Sequence, residues 1–391
     1  MTRLLMLAER FPPDLGGLAR SAARLAGSLT RVGAEVDVLA WTKTLPPGAL
    51  ETVDAGEVHP EAAGATLHRL GLYASQDFSL QHTFNVLEWL HGQRGFEAVW
   101  GHYATTPGFA AVFFAEQQGI PATVSARGND VDRAVFPPGD FARLQWTLQR
   151  ARLVTCVSQA MANKVRVILG DDARLQVVPN TVDGETFAPA EPSPELRQEL
   201  GIAPDEAVLA FAGELRQKKG FPFLLEALRE VRRRRPACLL VIGDVRPRDR
   251  SKLAAFAADF PEDAQRIVIS GRLDDPAEVA AHLRLADVFL HPSLWDGMPN
   301  AVLEAMACGV PVLASDAGGI PEAIEHGVSG FLLARHELHR LGEAALELLE
   351  LDADQRAAYG AAARERVLGR FNLAEEEASL RAVLQRLSSS A

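Results

Sequence analysis

The chain has 391 residues and a formal net charge of −11, from 40 Lys and Arg against 51 Asp and Glu. With 48% hydrophobic and 23% charged residues, it is not a disordered chain, and the acidic balance argues against a duplex nucleic-acid binder, so no nucleic-acid partner is expected. At roughly 150 residues per domain, two domains are expected.

The first residues read as a buried strand over 3–8. Their short apolar run stops at Glu9-Arg10, so they do not form a signal peptide. No later stretch approaches the ~18 continuous apolar residues of a membrane span. Cys156, Cys238 and Cys308 stand far apart, without zinc or disulfide spacing, and a reducing cytoplasm is the natural setting.

A loop over 9–17 carries Pro12-Pro13 and Gly16-Gly17, and the apolar spacing after it predicts a helix over 18–32, stopped by Gly33. A second strand follows over 35–41. The unit then repeats, with strands over 98–100, 122–125, 153–157 and 175–178 and helices over 107–118, 141–150 and 159–169. Such alternation means a mostly parallel sheet covered on both faces.

The Pro-rich, acidic segment 179–204 reads as the inter-domain connection. A second series has strands over 207–211, 238–242, 267–269, 288–290 and 310–314. Its helices run over 223–233, 250–258, 276–285 and 301–307. From about Leu338 the pattern is almost wholly helical. The run Arg232–Arg235 ends a helix, where cations suit the negative helix terminus; a peripheral contact with the inner membrane face is the other reading. The expected fold is α/β, two Rossmann-like halves facing across a cleft. Ligands in such folds lie beyond the strand C-termini.

Four strand-to-helix junctions carry chemistry. At the first, Gly16-Gly17 lets backbone approach a ligand beside free helix N–H groups, or simply makes a turn. At the second, Arg216, Lys218 and Lys219 crowd a helix N-terminus that disfavours cations, a conflict that a bound diphosphate would resolve. At the third, a helix starts near Asn300-Ala301. Glu304 lies one turn in, able to accept from two vicinal hydroxyls as on a ribose, and Asp296 on the preceding loop can grip a second polyol. At the fourth, Arg127 points toward the ligand end of the first half or pairs with Asp130 or Asp132.

The third junction resembles the signature of family 4 glycosyltransferases, which are retaining enzymes of the GT-B fold. Asp296, seven residues, Glu304 and then Ala305-Met306-Ala307-Cys308-Gly309-Val310-Pro311-Val312 match its acidic pair and the run after it. Ala317-Gly318-Gly319-Ile320-Pro321-Glu322 resembles the family's next loop, and Val178-Pro179-Asn180-Thr181-Val182-Asp183 its segment entering the second domain. The similarity is dense from about 178 to 335 and thinner at Gly16-Gly17 and 127–130.

The resemblance implies roles. Glu304 holds the ribose of a nucleotide-sugar donor, Asp296 contacts a hydroxyl of the transferred sugar, and Lys219 neutralises the diphosphate. Residues Gly271, Arg272 and Leu273 meet the base through backbone groups. Met298, Asn300 and Ala301 line the donor site, where Pro299 lacks an N–H and the next two residues must supply donors. It also implies domains over 1–183 and 184–371, with a C-terminal helix over 372–391 crossing back to the first. The chain departs from the pattern at Glu214, where the family often has Arg and where Arg216 stands in two positions on. It departs also at Asp296 for Glu, Met298-Pro299 for Phe-Gly, and Arg127 for His.

The expected function is transfer of a hexose-type sugar from a nucleotide-diphosphate donor to a hydroxyl acceptor: a glycan, a lipid-linked group or a small molecule. Lys219, Arg216 and Arg127 supply charge in place of a metal, so no cofactor is expected, and no Asp-x-Asp motif stands in the right place. Two rival classes are a sugar-nucleotide epimerase or hydrolase on the same scaffold and a non-catalytic nucleotide-sugar-binding protein, the latter suggested by Glu214.

Overall fold

The structure, a computed structural model, describes residues 2–14, 16–170 and 174–388; Leu15 of the first junction and the last residues of the C-terminal segment lie outside these. The chain divides into two compact units, Met1–Pro179 with Ala374–Ala391, and Asn180–Leu373.

The first unit holds strands β1 (Thr2–Ala8), β2 (Ala34–Thr42), β3 (Leu50–Asp54), β4 (Thr66–Gly71), β5 (Ala98–His102), β6 (Ala122–Ala126), β7 (Leu153–Cys156) and β8 (Leu175–Val177). They form one sheet in the order β3-β4-β2-β1-β5-β6-β7-β8. Only β3 runs antiparallel to its neighbour. Alternate residues of β1 enter opposite faces, as a pleated strand requires. Leu5 and Leu7 join one core with Val99, Phe114 and Val154. Leu4 and Met6 join the other with Ala22, Leu29 and Trp100.

The helix Leu373–Ser388 contributes Leu380, Val383, Leu384 and Leu387 to that second core. It also sends in Glu376, 1% exposed, which pairs with Arg24 at 2.8 Å and accepts from Ser28 Oγ at 2.9 Å.

The second unit holds β9 (Ala207–Ala212), β10 (Ala237–Ile242), β11 (Ile267–Ile269), β12 (Val288–His291), β13 (Val312–Ser315) and β14 (Phe331–Leu333) in one sheet, ordered β11-β10-β9-β12-β13-β14 and parallel throughout. Strands β9 and β10 are continuous apolar runs buried on both faces, the pattern of central parallel strands.

The units divide at Pro179, a few residues before Asp183. Asn180 already belongs to the second unit, because its side chain donates to the Met298 carbonyl and to Asn300 Oδ1, both at 2.8 Å. The connection 179–204 is also less irregular than its prolines suggest. Ser193 caps a short helix, Pro194–Glu199, through its hydroxyl.

Two strands and a long helix of the first unit escape a reading by periodicity. In β4, His68 is buried because its Nε2 meets Asp37 Oδ1 and its Nδ1 meets Thr52 Oγ1, both at 2.9 Å. The helix Gln76–Arg94 buries Ser79 and Thr83 on its inner face; the Thr83 hydroxyl accepts from Trp41 Nε1 at 2.9 Å. Three arginines of the run 232–235 have local partners. Arg232 pairs with Asp263 at 2.8 Å and donates to the Ala237 carbonyl, Arg233 pairs with Glu230, and Arg235 donates to the Leu349 carbonyl. Among the described residues no helix is long and apolar enough to cross a membrane.

Candidate functional site

Among the parallel strands of each sheet the order reverses at one point, between β1 and β5 in the first and between β9 and β12 in the second. The helices that follow such a pair of strands lie on opposite faces of the sheet, and ligands of open α/β sheets bind at the strand C-termini between them. The junctions singled out in the sequence leave these strands or a neighbour.

In the second unit, β9 leads to a 3₁₀ turn, Gln217–Lys219, and then to the helix Phe221–Arg232. Gly220 separates them at φ 80°, where a Cβ would lie 2.1 Å from the Pro292 carbonyl oxygen. Only glycine lets this turn press against the loop that follows β12. The Leu294 N–H donates to the Lys218 carbonyl at 2.9 Å, sewing the two loops together. The loop after β13 supports the other side. The Gly319 N–H donates to the Gly297 carbonyl at 2.7 Å, and a Cβ on Gly318 would collide with the Asp296 carbonyl oxygen at 1.8 Å.

This clamp brings Lys219 and Asp296 into a mostly buried ion pair, Nζ to Oδ2. The same Oδ2 lies 3.3 Å from His291 Nε2 and receives the Ser293 hydroxyl at 3.3 Å, while Oδ1 accepts the Gly297 N–H at 3.2 Å. Burial alone would raise the carboxyl pKa. Lys219 and then His291 outweigh it and hold Asp296 well below the usual carboxylate range. His291 is fully buried, and burial, helped by Lys219, pulls it down to about 4, so it is neutral at pH 7.

Arg216 stands apart from this pair. Its guanidinium lies 3.4 Å from Glu214, which is also 4.0 Å from Arg246, and its Nε is buried with no partner among the described residues.

The helix Asn300–Ala307 starts after Pro299 with no side-chain cap and no acidic residue in its first turn. The first N–H groups of a helix have no partner within it, so Asn300 and Ala301 present donors there. Glu304 lies one turn on, half-buried, and Met298 is buried just before the helix. Gly271, Arg272 and Leu273 follow β11, with β10 between them and β9. Gly271 bridges to Gly243, and the Ser270 hydroxyl ties the two together. The Arg272 side chain turns to Asp274 at 2.7 Å.

In the first unit, Gly16 has φ 119° and precedes the helix Gly17–Arg31, which likewise lacks a side-chain cap and an acidic first turn. Space beside both glycines is open, since a Cβ on either meets nothing within 4 Å. At the end of β5, His102 is fully buried with Nε2 3.2 Å from Ser21 Oγ on that helix. Burial, with Arg127 and Arg24, keeps its pKa well below the ordinary value. Arg127 follows β6 half-buried, and burial together with Arg24 lowers its pKa to about 10.

The Asp130 carboxylate accepts the backbone N–H groups of Ala104 (2.9 Å), Arg127 (3.1 Å) and Gly128 (2.7 Å). Asp132 pairs with Lys164 at 2.5 Å. The acid beside Arg127 therefore shapes the loop through main-chain groups.

Reading by motif missed Asn180, His291, Ser293 and His102. Asn180 lies within the 178–183 segment, whose resemblance to the family implies no role for it. The other three show only as polar residues at the ends of apolar strands. No group of three His, Cys, Asp or Glu side chains suited to a metal occurs among the described residues.

Comparison with known proteins adds the family. The description "Glycosyl transferases group 1" matches residues 206–351, and "Glycosyl transferase 4-like domain" matches residues 16–181. The chain is 30% identical over 399 residues to D-inositol 3-phosphate glycosyltransferase of Kineococcus radiotolerans, covering 93% of this chain and 89% of that one. It is 28% identical over 381 residues to the GDP-mannose-dependent alpha-(1-6)-phosphatidylinositol monomannoside mannosyltransferase of Mycobacterium tuberculosis, covering 95% of each. Among solved structures, Anabaena HepE in complex with UDP-glucose superposes with a TM-score of 0.78 at 19% identity, covering 98% of this chain and all of that one. Sucrose-phosphate synthase from Thermosynechococcus elongatus gives 0.79 at 17% identity, over 99% of each chain. Two Rossmann-like units carrying two matched domains, and a 30% identical relative aligned over most of both chains, lead to one conclusion: the chain belongs to the group 1, family 4-like glycosyltransferases of the GT-B fold.

Proposed function

We propose that this glycosyltransferase moves a hexose-type sugar from a nucleoside diphosphate sugar to a hydroxyl acceptor, with retention of anomeric configuration and without a divalent metal. The observation that carries the reading is the Lys219 ammonium held at the β9/β12 crevice, where the uncapped helix Asn300–Ala307 also begins. Diphosphate charge grows as the sugar departs, and preorganised cations and N–H groups stabilise that charge by about 2.7–4 kcal/mol per donor. The M. tuberculosis relative is named for GDP-mannose, and the Anabaena structure holds UDP-glucose; both support a nucleotide-sugar donor here.

In this reading Lys219, Asn300 and Ala301 take the diphosphate, with Arg216 as a second cation drawn from Glu214. Glu304 accepts from the ribose hydroxyls, Met298 backs the donor site, and the backbone of Gly271, Arg272 and Leu273 meets the base. Asp296 contacts the sugar through Oδ1, since Oδ2 already serves three donors. Gly16 and Gly17 give backbone approach in the first unit, and Arg127 stabilises or positions an anionic group. It cannot act as a base, because a guanidinium stays protonated at working pH. The acceptor oxygen bonds to the anomeric carbon as the carbon–phosphate oxygen bond breaks, and the acceptor proton passes to a phosphate oxygen of the leaving diphosphate.

Thermal-shift screening with UDP-glucose, UDP-N-acetylglucosamine and GDP-mannose tests the donor. Ligand at 100 times its Kd stabilises by about 2.7 kcal/mol. Nucleoside diphosphate release should require an acceptor and persist in EDTA. Release without acceptor identifies a hydrolase, and binding without any release a sensor. Activity lost in EDTA and restored by Mg²⁺ or Mn²⁺ overturns the metal-free reading.

A further inference from the structure

We propose that His291, a residue with no role in the scheme above, is a positioning residue for sugar recognition: with Ser293 it aims the Asp296 carboxylate, so that Oδ2 faces Lys219 and Oδ1 is presented to the donor sugar. The proposal rests on the reading of Asp296 as the sugar contact.

Lys219 alone cannot aim this carboxylate. An ammonium on a flexible stem is a point charge without preferred direction, and a carboxylate paired to it still rotates about its last torsion. The Gly297 N–H fixes Oδ1 at 3.2 Å, and Oδ2 needs donors equally fixed in space. His291 is such a donor. It closes β12, is fully buried, and its ring lies nearly parallel to Phe211 from β9 and Phe289 from β12, with centroids at 6.0 and 6.1 Å and interplanar angles of 15° and 16°. Ser293, also fully buried, stands 3.1 Å from His291 Nε2 and 3.3 Å from Asp296 Oδ2.

The surroundings also select the tautomer. His291 Nδ1 is buried with no partner among the described residues. A proton on Nδ1 would bury an unsatisfied donor, and the Nε2 lone pair would either face a carboxylate oxygen 3.3 Å away or draw the Ser293 hydroxyl off that oxygen. A proton on Nε2 avoids both. The ring then donates to the Ser293–Asp296 pair, and Nδ1 is left as a bare acceptor among aromatic rings. The short Asp side chain keeps the carboxylate within reach of these donors.

The test measures how much the sugar adds to donor binding. Affinities for nucleoside diphosphate and for the matching nucleotide sugar are determined by titration calorimetry. The pair used, UDP with UDP-glucose, UDP with UDP-N-acetylglucosamine or GDP with GDP-mannose, is the one whose sugar form the wild-type chain binds most tightly. His291→Phe keeps the ring stack and removes the donor. It should reduce the affinity gained from the sugar roughly tenfold, the order of one hydrogen bond to a charged group, and change diphosphate affinity much less. His291→Gln, whose amide nitrogen can replace Nε2, should restore most of the gain. The proposal is overturned if His291→Phe retains the gain, if both affinities fall together, or if His291→Gln is as impaired as His291→Phe. Should His291→Phe not fold, imidazole ¹⁵N shifts of the wild-type chain at neutral pH decide: an Nε2–H pattern supports the proposal, and an Nδ1–H or imidazolium pattern overturns it. Asp296→Asn separates the two claims. If it keeps the sugar's contribution, the sugar-contact reading falls and this proposal with it. If it loses that contribution while His291→Phe does not, only the role of His291 falls. No binding of any of the three donors overturns both.

Discussion

Each unit sets a carboxylate and a fully buried histidine near its sheet's switch point, and the two carboxylates are used differently. Asp130 accepts three backbone N–H groups and holds a loop in shape. Among the described residues Asp296 accepts side-chain donors and a single backbone N–H, and its ion-pair partner is a lysine. Their titration follows. Burial pushes Asp130 up despite its N–H partners, while Lys219 and His291 hold Asp296 far down. A carboxylate satisfied by main chain is part of the scaffold. One satisfied by a side-chain ammonium leaves that cation able to serve an arriving anion as well.

The largest test of this contrast removes Lys219. Lys219→Ala should lower kcat by about 10²–10³, the scale of losing one preorganised donor. Donor KM should rise much less, because the charge matters most in the transition state. An effect confined to KM would count against the role.

A stability experiment addresses the histidines. Folded His291 has a pKa of about 4, against ~6.5 when unfolded. Below pH ~6.5 the unfolded chain binds a proton that the folded chain does not, so stability falls as pH drops from about 6.5 to about 4. The loss from this residue is at most about 3 kcal/mol. Urea unfolding at pH 7 and pH 4.5 should show a smaller acid loss in His291→Gln; an equal loss in both proteins refutes the assignment.

Glu304→Gln should weaken nucleotide binding by about 1.5–3 kcal/mol with the fold intact, and calorimetry with unchanged affinity would remove Glu304 from the ribose site. Arg127→Ala should cut turnover about tenfold or more, if its charge supplies ~1.4 kcal/mol to the barrier, yet leave nucleoside diphosphate binding nearly intact. Near-normal turnover excludes the role. Asp130→Asn should cost about 1–2 kcal/mol of stability and no donor affinity, read as a lowered Tm. A Tm unchanged from wild type would show that its backbone contacts do not hold the loop.

What could be read from the sequence depended on the kind of signal. The strand over 267–269 and the helix over 159–169 have their observed limits, because apolar runs and spacing announce them. Strand β4 did not, since His68 and Arg69 break its apolar pattern and are satisfied by partners on other strands. In the site, the spacing of Asp296 and Glu304 was plain, being local to one loop and helix. The pairing of Lys219 with Asp296 joins loops far apart in sequence and has no local signature. Neither has the Asn180 side chain that fastens Met298 and Asn300. Polar residues that act through a distant partner look, in sequence, like polar residues on a surface.

The hydrogen bond from the Val182 N–H to the Phe371 carbonyl, at 2.9 Å, joins the two ends of the second unit. The chain thus enters and leaves that unit at neighbouring points, and the first unit is assembled from a long segment and a short returning one. The second unit is in effect an inserted cassette. It can be exchanged as one continuous stretch, whereas the first unit cut after Pro179 would lose Glu376 and leave Arg24 and Ser28 facing an open seam. Recombination between relatives can therefore replace one unit cleanly, and the other only with its tail.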